Sequence, residues 1–311
     1  EVDNSSYLKS SQNGKILYSI ADEGVVAFRV LPNGSLARLN SAKIKGMRGC
    51  HLSTSKADDY IFISGFHDGK ITVLHLNEDG SVGDIADGVF HKGLGSVAER
   101  SFRPHVSCSR LTPDERFLMV ADLGIDQIKV YRFDHKDGKI ALVDTIRCEL
   151  ESAPKYFMFS SDGRFFYVLY EMKNVIEVYS YKEGERVPIV EKIQTISSTG
   201  SKPNQLTAAC AMHFSPDEKH VFCSNAGDNT VSMYDRDDET GMLTLRFCLP
   251  ISGDYPKDIA IFPGGEHLAS INHEGSISFF KIDYEKGLLV MSDRSIKVNE
   301  PNCCEIVKIG D

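Results

Sequence analysis

One repeated pattern, an all-strand unit that recurs six times, constrains the fold of this chain more than any other feature. Each copy holds an apolar strand, a Ser/Pro-Asp-Gly-like turn, a second apolar strand, a short polar loop and a third strand that ends in an aromatic residue. The clearest copies run from Pro104 to Phe133, from Pro154 to Tyr181 and from Pro256 to Ile282. Apolar blocks such as FLMVAD, FFYVLY and HVFCSN have the length and composition of strands, and no window sustains a helical period. The sequence therefore predicts an all-β protein.

The spacing of the turns indicates which kind of repeat this is. Consecutive turns lie 45, 56, 48, 55 and 47 residues apart, which is the period of a propeller blade and not of a helical solenoid. A fourth, weaker strand follows each third strand through a hairpin of the Asp-Gly or Thr-Gly type. Four antiparallel strands make one blade, so we predict a single β-propeller domain over residues 1–311. The turn positions used for this spacing are Asn13, Asp58, Asp114, Asp162, Asp217 and Gly264.

The number of blades depends on the last residues of the chain. The segment NEPNCCEIVKIGD, residues 299–311, resembles the innermost strand of one further blade. A lone strand of this kind needs partners if the ring is to close without exposed edges. Two alternatives follow, a seven-bladed ring whose N-terminal strands lie outside this sequence, and a six-bladed ring with a C-terminal tail. The Pro-x-x-apolar opening that the segment shares with the other blades favours seven.

Charge and cysteine content narrow the classes of function. A net charge of −9 with no basic stripe argues against nucleic acid as a partner. No apolar run is long enough to span a membrane, so no membrane partner is expected. The eight cysteines form no CxxC pair or regular framework, which favours buried thiols in the reducing cytoplasm. The sequence also lacks the common metal-ligand motifs, and we predict neither a metal nor a cofactor.

Strand direction predicts where a site would form. The second strand of each unit returns to the end where the innermost strand began, so the loop after it lies beside that strand start. A ring of histidine and lysine faced by carboxylates and amides in a central channel suits a polar anion, since local charge outweighs the distant net charge. The strand starts contribute His51, His105, Lys155, His213 and Lys257, and the return loops contribute Asp122, Glu171, Asn225 and Asn272.

Some of these residues also have ordinary structural explanations. Asp122 and Asp126 in the DLGID segment are favoured at tight turns, whatever their chemistry. A lone histidine such as His105 is more often a hydrogen-bonded core residue than a base. The sequence alone does not decide between these structural roles and a role in catalysis.

Several segments resemble a known family. PHVSCSRLTPDERFLMVADLGIDQIKVY, SAPKYFMFSSDGRFFYVLYEMKNVIEVY, MHFSPDEKHVFCSNAGDNTVSMY and PNCCEIV are similar to the seven-bladed propeller lactonases, which are grouped with bacterial 6-phosphogluconolactonase and fungal 3-carboxy-cis,cis-muconate cyclase. The resemblance implies a catalytic channel with His105, Asp122 and Glu171 at matching motif positions. The chain also departs from the family pattern. Ser107 replaces a second histidine, Ala226 replaces a common arginine, and Lys155 and Lys257 stand where arginine is usual.

The leading functional expectation is a lactone hydrolase that opens an anionic sugar lactone of the 6-phosphogluconolactone type. His105 or Glu171 would take a proton from the attacking water, and a lysine or a backbone N–H would support the oxyanion. The expected substrate-binding residues are His51, Lys155, His213, Lys257, Asn225 and Asn272. Two alternatives remain, a non-enzymatic binding module with a decayed site, and a muconate cyclase that adds a carboxylate to an alkene.

Overall fold

Every regular element that the structure describes is a β-strand. The computed structural model describes residues 2–96, 102–200, 203–292 and 296–309. Within these ranges the strands form six antiparallel sheets, each built from four consecutive strands, and the last sheet has a short fifth strand. This confirms the all-β prediction and the four-stranded unit. The chain divides into two compact units, Glu1–Pro154 with Glu185–Val187 and Glu305–Asp311, and Lys155–Gly184 with Pro188–Cys304.

The first unit contains three complete sheets, whose strands are paired in chain order. The first sheet has β1 (Leu8–Ser10), β2 (Ile16–Ala21), β3 (Gly24–Val30) and β4 (Leu36–Lys43); the second has β5 (His51–Thr54), β6 (Tyr60–Gly65), β7 (Lys70–Leu76) and β8 (Val82–Phe90); the third has β9 (Val106–Leu111), β10 (Phe117–Asp122), β11 (Gln127–Asp134) and β12 (Lys139–Arg147).

The second unit holds the remaining sheets, apart from Pro154, the first residue of β13. The fourth sheet has β13 (Pro154–Phe159), β14 (Phe165–Tyr170), β15 (Val175–Lys182) and β16 (Ile189–Ser197); the fifth has β17 (Ala208–Phe214), β18 (His220–Ala226), β19 (Thr230–Arg236) and β20 (Leu243–Pro250); the sixth has β21 (Pro256–Ile261), β22 (His267–Asn272), β23 (Ser276–Asp283), β24 (Leu288–Met291) and β25 (Ile296–Lys297), the last paired with β23.

The apolar pattern of each strand reflects its place in its sheet. The second strands β6, β10 and β14 are buried at all six positions because both of their faces pack against apolar side chains. In the outermost strand β12 only Ile140 is buried, and the other residues are exposed or partly buried. Core clusters form between neighbouring sheets within each unit, around Tyr18 and Ile61 in one and around Tyr167 and Met212 in the other. Each large apolar side chain buried in this way contributes about 1.5–3 kcal/mol to stability.

A recurring turn joins the first and second strands of each sheet. In the fourth sheet, the Ser160 hydroxyl donates to Asp162 Oδ1 at 2.6 Å, and the Gly163 N–H donates to the Ser160 carbonyl oxygen at 2.9 Å. The last turn residue is left-handed, with φ of 69° at Gly163 and 54° at Glu218. Serine and aspartate satisfy the turn's backbone groups, which explains why an Asp-containing turn recurs in four of the six sheets, at Asp58, Asp114, Asp162 and Asp217.

The C-terminal segment differs from the strand predicted for it. Residues 301–309 form no strand, and residues 310–311 lie outside the described part of the chain. A strand needs backbone hydrogen bonds to a neighbouring strand, whereas this segment is held in place by hydrogen bonds to the carboxylate of Glu305. Glu305 accepts hydrogen bonds from the Ser10 N–H at 3.0 Å and from Lys9 Nζ at 3.2 Å. Burial alone would raise the pKa of Glu305, but Lys9 and Ser10 outweigh it and lower that pKa.

Candidate functional site

The sheet register brings the predicted residues of each sheet to one end of its innermost strand. In the third sheet Asp122, at the end of β10, lies opposite Val106 at the start of β9. In the sixth sheet Asn272, at the end of β22, lies opposite Pro256 at the start of β21. The expectation that return loops border the strand starts is therefore confirmed within these sheets.

His105 in the first unit has a fixed tautomer. Its ring stacks on Phe66 with centroids 4.4 Å apart, and Nδ1 lies 2.7 Å from the Phe66 carbonyl oxygen. A carbonyl only accepts hydrogen bonds, so Nδ1 carries the proton and Nε2 keeps its lone pair in the neutral ring. The side chain is therefore chemically equipped to accept a proton.

Asp122 holds the backbone at His105. Its Oδ1 accepts the N–H of His105 at 2.8 Å and that of Gly124 at 3.1 Å, and its Oδ2 lies 2.7 Å from His91 Nδ1. The side chains of Asp122 and His91 both have 0% exposure. Burial lowers the pKa of His91 more than the Asp122 carboxylate raises it, so the ring is neutral and donates through Nδ1. The sequence analysis missed His91, because nothing in the residues around it distinguishes it from a surface histidine.

His51 is buried in the same unit and stays neutral. The Ser109 N–H donates to its Nδ1 at 3.5 Å, and the Cys108 sulfur lies 3.6 Å from Nε2. Burial, followed by the charges of Arg110 and Lys9, holds the pKa of His51 well below its usual value. His51 therefore adds no positive charge for an anion near neutral pH.

In the second unit, Lys155 and Glu171 form the strongest charged contact among the predicted residues. Lys155 Nζ lies 2.6 Å from Glu171 Oε2, and the side chains are 30% and 8% exposed. Burial alone would lower the pKa of Lys155, but the interactions with Cys210 and Glu171 outweigh it and raise that pKa. Lys155 therefore carries a permanent positive charge. The Cys210 sulfur is 3.9 Å from Nζ, and burial raises the pKa of that thiol.

Lys257 has a different environment from Lys155. Its Nζ donates to the Asn302 side-chain oxygen at 2.9 Å. Burial and the nearby charge of Lys155 lower its pKa. The sequence analysis did not single out Asn302, which lies in the C-terminal segment where only a strand was predicted.

His213 pairs with a carboxylate that the sequence analysis also missed. His213 Nε2 lies 3.0 Å from Asp258 Oδ1, and Asp258 Oδ2 accepts the Cys304 N–H at 3.0 Å. Asp258 follows Lys257 directly in the sequence, and this position beside a predicted site lysine is the feature that could have indicated it. The His213 side chain is 32% exposed and remains accessible.

Asn225 and Asn272 are fully buried, and each forms hydrogen bonds with its own sheet or with the segment that leads into it. Asn225 Nδ2 donates to the Ser198 carbonyl oxygen at 2.9 Å and to Thr230 Oγ1 at 3.2 Å, and Asn272 Nδ2 donates to Ser278 Oγ at 3.1 Å. Both amides tie together the loops at the ends of their sheets. The hydrogen bonds of these two amides hold protein segments together, and the role in substrate binding expected for Asn225 and Asn272 stays a prediction.

The structure thus groups the predicted residues in two sets. One unit contains His51, His105 and Asp122, and the other contains Lys155, Glu171, His213, Lys257, Asn225 and Asn272. In the described ranges, no group of three or more histidine, cysteine, aspartate or glutamate side chains is arranged to hold a metal ion. Nor do the described residues include a long apolar helix able to cross a membrane. The cytoplasmic location stays a prediction.

Comparison with known proteins identifies the family. The family model described as "Lactonase, 7-bladed beta-propeller" matches residues 1–306. The chain belongs to this lactonase family. Each four-stranded sheet is accordingly one blade of an all-β propeller. The resemblance stated from the sequence motifs is confirmed.

Individual relatives agree with this membership. The chain is 26% identical to the 6-phosphogluconolactonase of Bacillus subtilis (strain 168), over 99% of this chain and 88% of the relative. A solved structure from Bacteroides fragilis NCTC 9343 is 30% identical, with a TM-score of 0.87 over 97% of this chain and 87% of its own. The periplasmic gluconolactonase of Pseudomonas aeruginosa shares the fold at 23% identity, with a TM-score of 0.91 over 99% and 89% of the two chains.

Replacing Asp122 with alanine tests its role in holding His105. Two main-chain N–H groups and the His91 ring would lose a buried acceptor, so we expect Asp122→Ala to lower the free energy of unfolding by about 2–5 kcal/mol. Urea unfolding of the purified lactonase-family protein measures this change. The exposed Asp137→Ala is the control and should stay within about 0.5 kcal/mol of wild type. An equally small change for Asp122→Ala would contradict the assigned role.

Proposed function

We propose that this protein is a lactone hydrolase that opens an anionic sugar lactone of the 6-phosphogluconolactone class. The observation that carries the proposal is the Lys155–Glu171 pair, with Lys257 close enough to alter its electrostatics. Lys155 stays charged and gives only one of its three N–H donors to Glu171, so it can also hold an anion through a charge-assisted hydrogen bond. The names of the relatives from Bacillus subtilis and Formosa agariphila, both 6-phosphogluconolactonase, support the same substrate class.

The reaction needs a proton acceptor for water and a donor for the developing oxyanion. Glu171 lies in the same unit as both lysines and is the proposed acceptor, with its carboxylate oriented by Lys155. His105 lies in the first unit and keeps a lone pair at Nε2, and its role as the acceptor stays a prediction. Asp122 acts on His105 only through its backbone and is a positioning residue. Lys155 holds the anionic group of the substrate through a charge-assisted hydrogen bond.

A comparison of two lactones tests the proposal. Purified protein should accelerate the opening of 6-phosphoglucono-δ-lactone above the blank and should prefer it to glucono-δ-lactone by about 10- to 100-fold in kcat/KM, since one charge-assisted contact is worth about 1.5–3 kcal/mol. Lys155→Met should remove most of this preference. The exposed Lys182→Met, in the same unit, is the control and should keep it.

Two outcomes of this assay would count against the proposal. If wild-type protein does not exceed the blank for either lactone, the binding module with a decayed site replaces the enzyme. If Lys155→Met keeps the preference for the phosphorylated lactone, the anion is held by other residues. In active protein, Glu171→Gln and His105→Gln identify the acceptor, because kcat should fall only when the residue that accepts the proton is replaced.

We propose further that the blades belong to one seven-bladed domain, as the family description has it. Chain connectivity supports one domain: β13 begins with Pro154 in the first unit and continues from Lys155 in the second. A single calorimetric unfolding transition of the full chain, with equal calorimetric and van't Hoff enthalpies, is the expected result. Two separate transitions would contradict the single domain.

A further inference from the structure

The two lysines of the second unit have the same local sequence but different hydrogen-bond acceptors. Each is the second residue of an innermost strand and follows a proline, as Pro154-Lys155 in β13 and Pro256-Lys257 in β21. The acceptor for Lys155 is the Glu171 carboxylate at 2.6 Å, whereas the acceptor for Lys257 is the neutral Asn302 amide at 2.9 Å.

The surroundings of the two ammonium groups differ accordingly. Among the described residues, no carboxylate oxygen is within ion-pair distance, 4.0 Å, of Lys257 Nζ. The charged and titratable groups that face it are Lys155, Cys210, Glu171 and Glu300. Burial and Lys155 destabilise its charge, and the other three groups stabilise it less. The pKa of Lys257 is lowered as a result, while that of Lys155 is raised.

We propose that Lys257 is the general acid of the lactonase reaction, delivering its Nζ proton to the ring oxygen as the lactone opens, while Lys155 keeps its proton and anchors the anionic group. The inference rests on the proposed function and adds a role for one residue of that site. Asn302 uses one of the three N–H bonds of Lys257, which leaves two for the substrate.

The proton balance of the reaction is complete with these residues. Water attacks the carbonyl carbon and gives one proton to the acceptor Glu171, which lies in the same unit as both lysines. The bond between the carbonyl carbon and the ring oxygen then breaks, the electron pair stays on the ring oxygen, and that oxygen takes the proton of Lys257. Lys257 regains the proton that water released, through solvent. The sum is one lactone and one water giving one hydroxy acid.

Lysine suits this role where arginine does not. The leaving group is an alkoxide, and an acid with a pKa closer to the working pH protonates it more effectively, which is worth about 10²- to 10⁴-fold in rate. Arginine retains its proton under all working conditions, whereas burial and the charge of Lys155 lower the pKa of Lys257 and make it a stronger acid than an ordinary lysine. The proton of Lys155 is held by Glu171, which makes Lys155 the poorer acid of the two.

A matched pair of substitutions tests the assignment. Lys257→Arg keeps the positive charge but cannot release the proton, so it should lower kcat for 6-phosphoglucono-δ-lactone about 10²-fold or more and change KM by less than about threefold. The control is Lys182→Arg, at an exposed residue of the same unit, which should keep both kcat and KM within about threefold of wild type. A Lys257→Arg protein whose kcat stays near wild type would overturn the proposal.

The pH dependence supplies a second readout with a defined sign. Lys257 acts only when protonated, so kcat/KM corrected for the blank should fall as pH rises through the pKa of Lys257, which lies below its ordinary value. Unassisted opening gives the opposite trend, because hydroxide accelerates it. Lys257→Arg should lose this alkaline limb, and a Lys257→Arg profile that retains it would contradict the assignment.

A direct titration separates this proposal from the proposed function. Lysines labelled by reductive ¹³C-methylation are followed by NMR against pH, with the Lys257 signal assigned by its absence in Lys257→Arg. Lys257 should titrate below the ordinary lysine range and Lys155 above it. A Lys257 signal at or above the ordinary range would overturn the proposal whether or not the protein opens lactones. If the Lys257 signal is assigned and titrates as expected, but the wild-type protein opens neither lactone, the proposed function is refuted instead.

Discussion

The antiparallel register between the first two strands of each sheet is the constraint on which the candidate site depends. Because the second strand runs back along the first, the loop that follows it meets the start of the innermost strand. Asp122 is opposite Val106, and Asn272 is opposite Pro256, through this register alone. Residues about 16 positions apart, such as Lys155 and Glu171, therefore come within hydrogen-bond distance without any other tertiary contact being required.

Burial then decides what each of these polar side chains does. Three of them are fully buried and form hydrogen bonds with the backbone and with neighbouring side chains, because an unpaired polar group in the interior lowers stability. These are Asp122, Asn225 and Asn272. The half-buried ones, Lys155 and Lys257, keep donors for a ligand. Burial lowers both pKa values, but Cys210 and Glu171 outweigh it at Lys155, whereas the charge of Lys155 adds to it at Lys257, so the two pKa values shift in opposite directions. In the proposed reaction, Lys155 keeps its proton and Lys257 delivers one.

Much of this arrangement was predictable from the sequence. The spaced Asp-containing turns predicted the sheets, because serine and aspartate at these positions satisfy the backbone of a tight turn. The Pro-Lys strand start and the return-loop glutamate predicted that Lys155 and Glu171 would meet. The hydrogen-bond partners His91, Asp258 and Asn302 were not predictable in the same way. Their contacts depend on packing between segments that sequence periodicity does not report, and Asn302 lies where a strand was expected and none forms.

A crystal structure of the protein with bound 6-phosphogluconate, the product of the proposed reaction, would show which lysine holds the phosphate. We expect a phosphate oxygen within about 3 Å of Lys155 Nζ, with Glu171 still bonded to that ammonium. The new hydroxyl, which was the ring oxygen, should lie nearer to Lys257 Nζ than to Lys155 Nζ. A phosphate bound away from both lysines, with the Lys155–Glu171 pair unchanged, would contradict it.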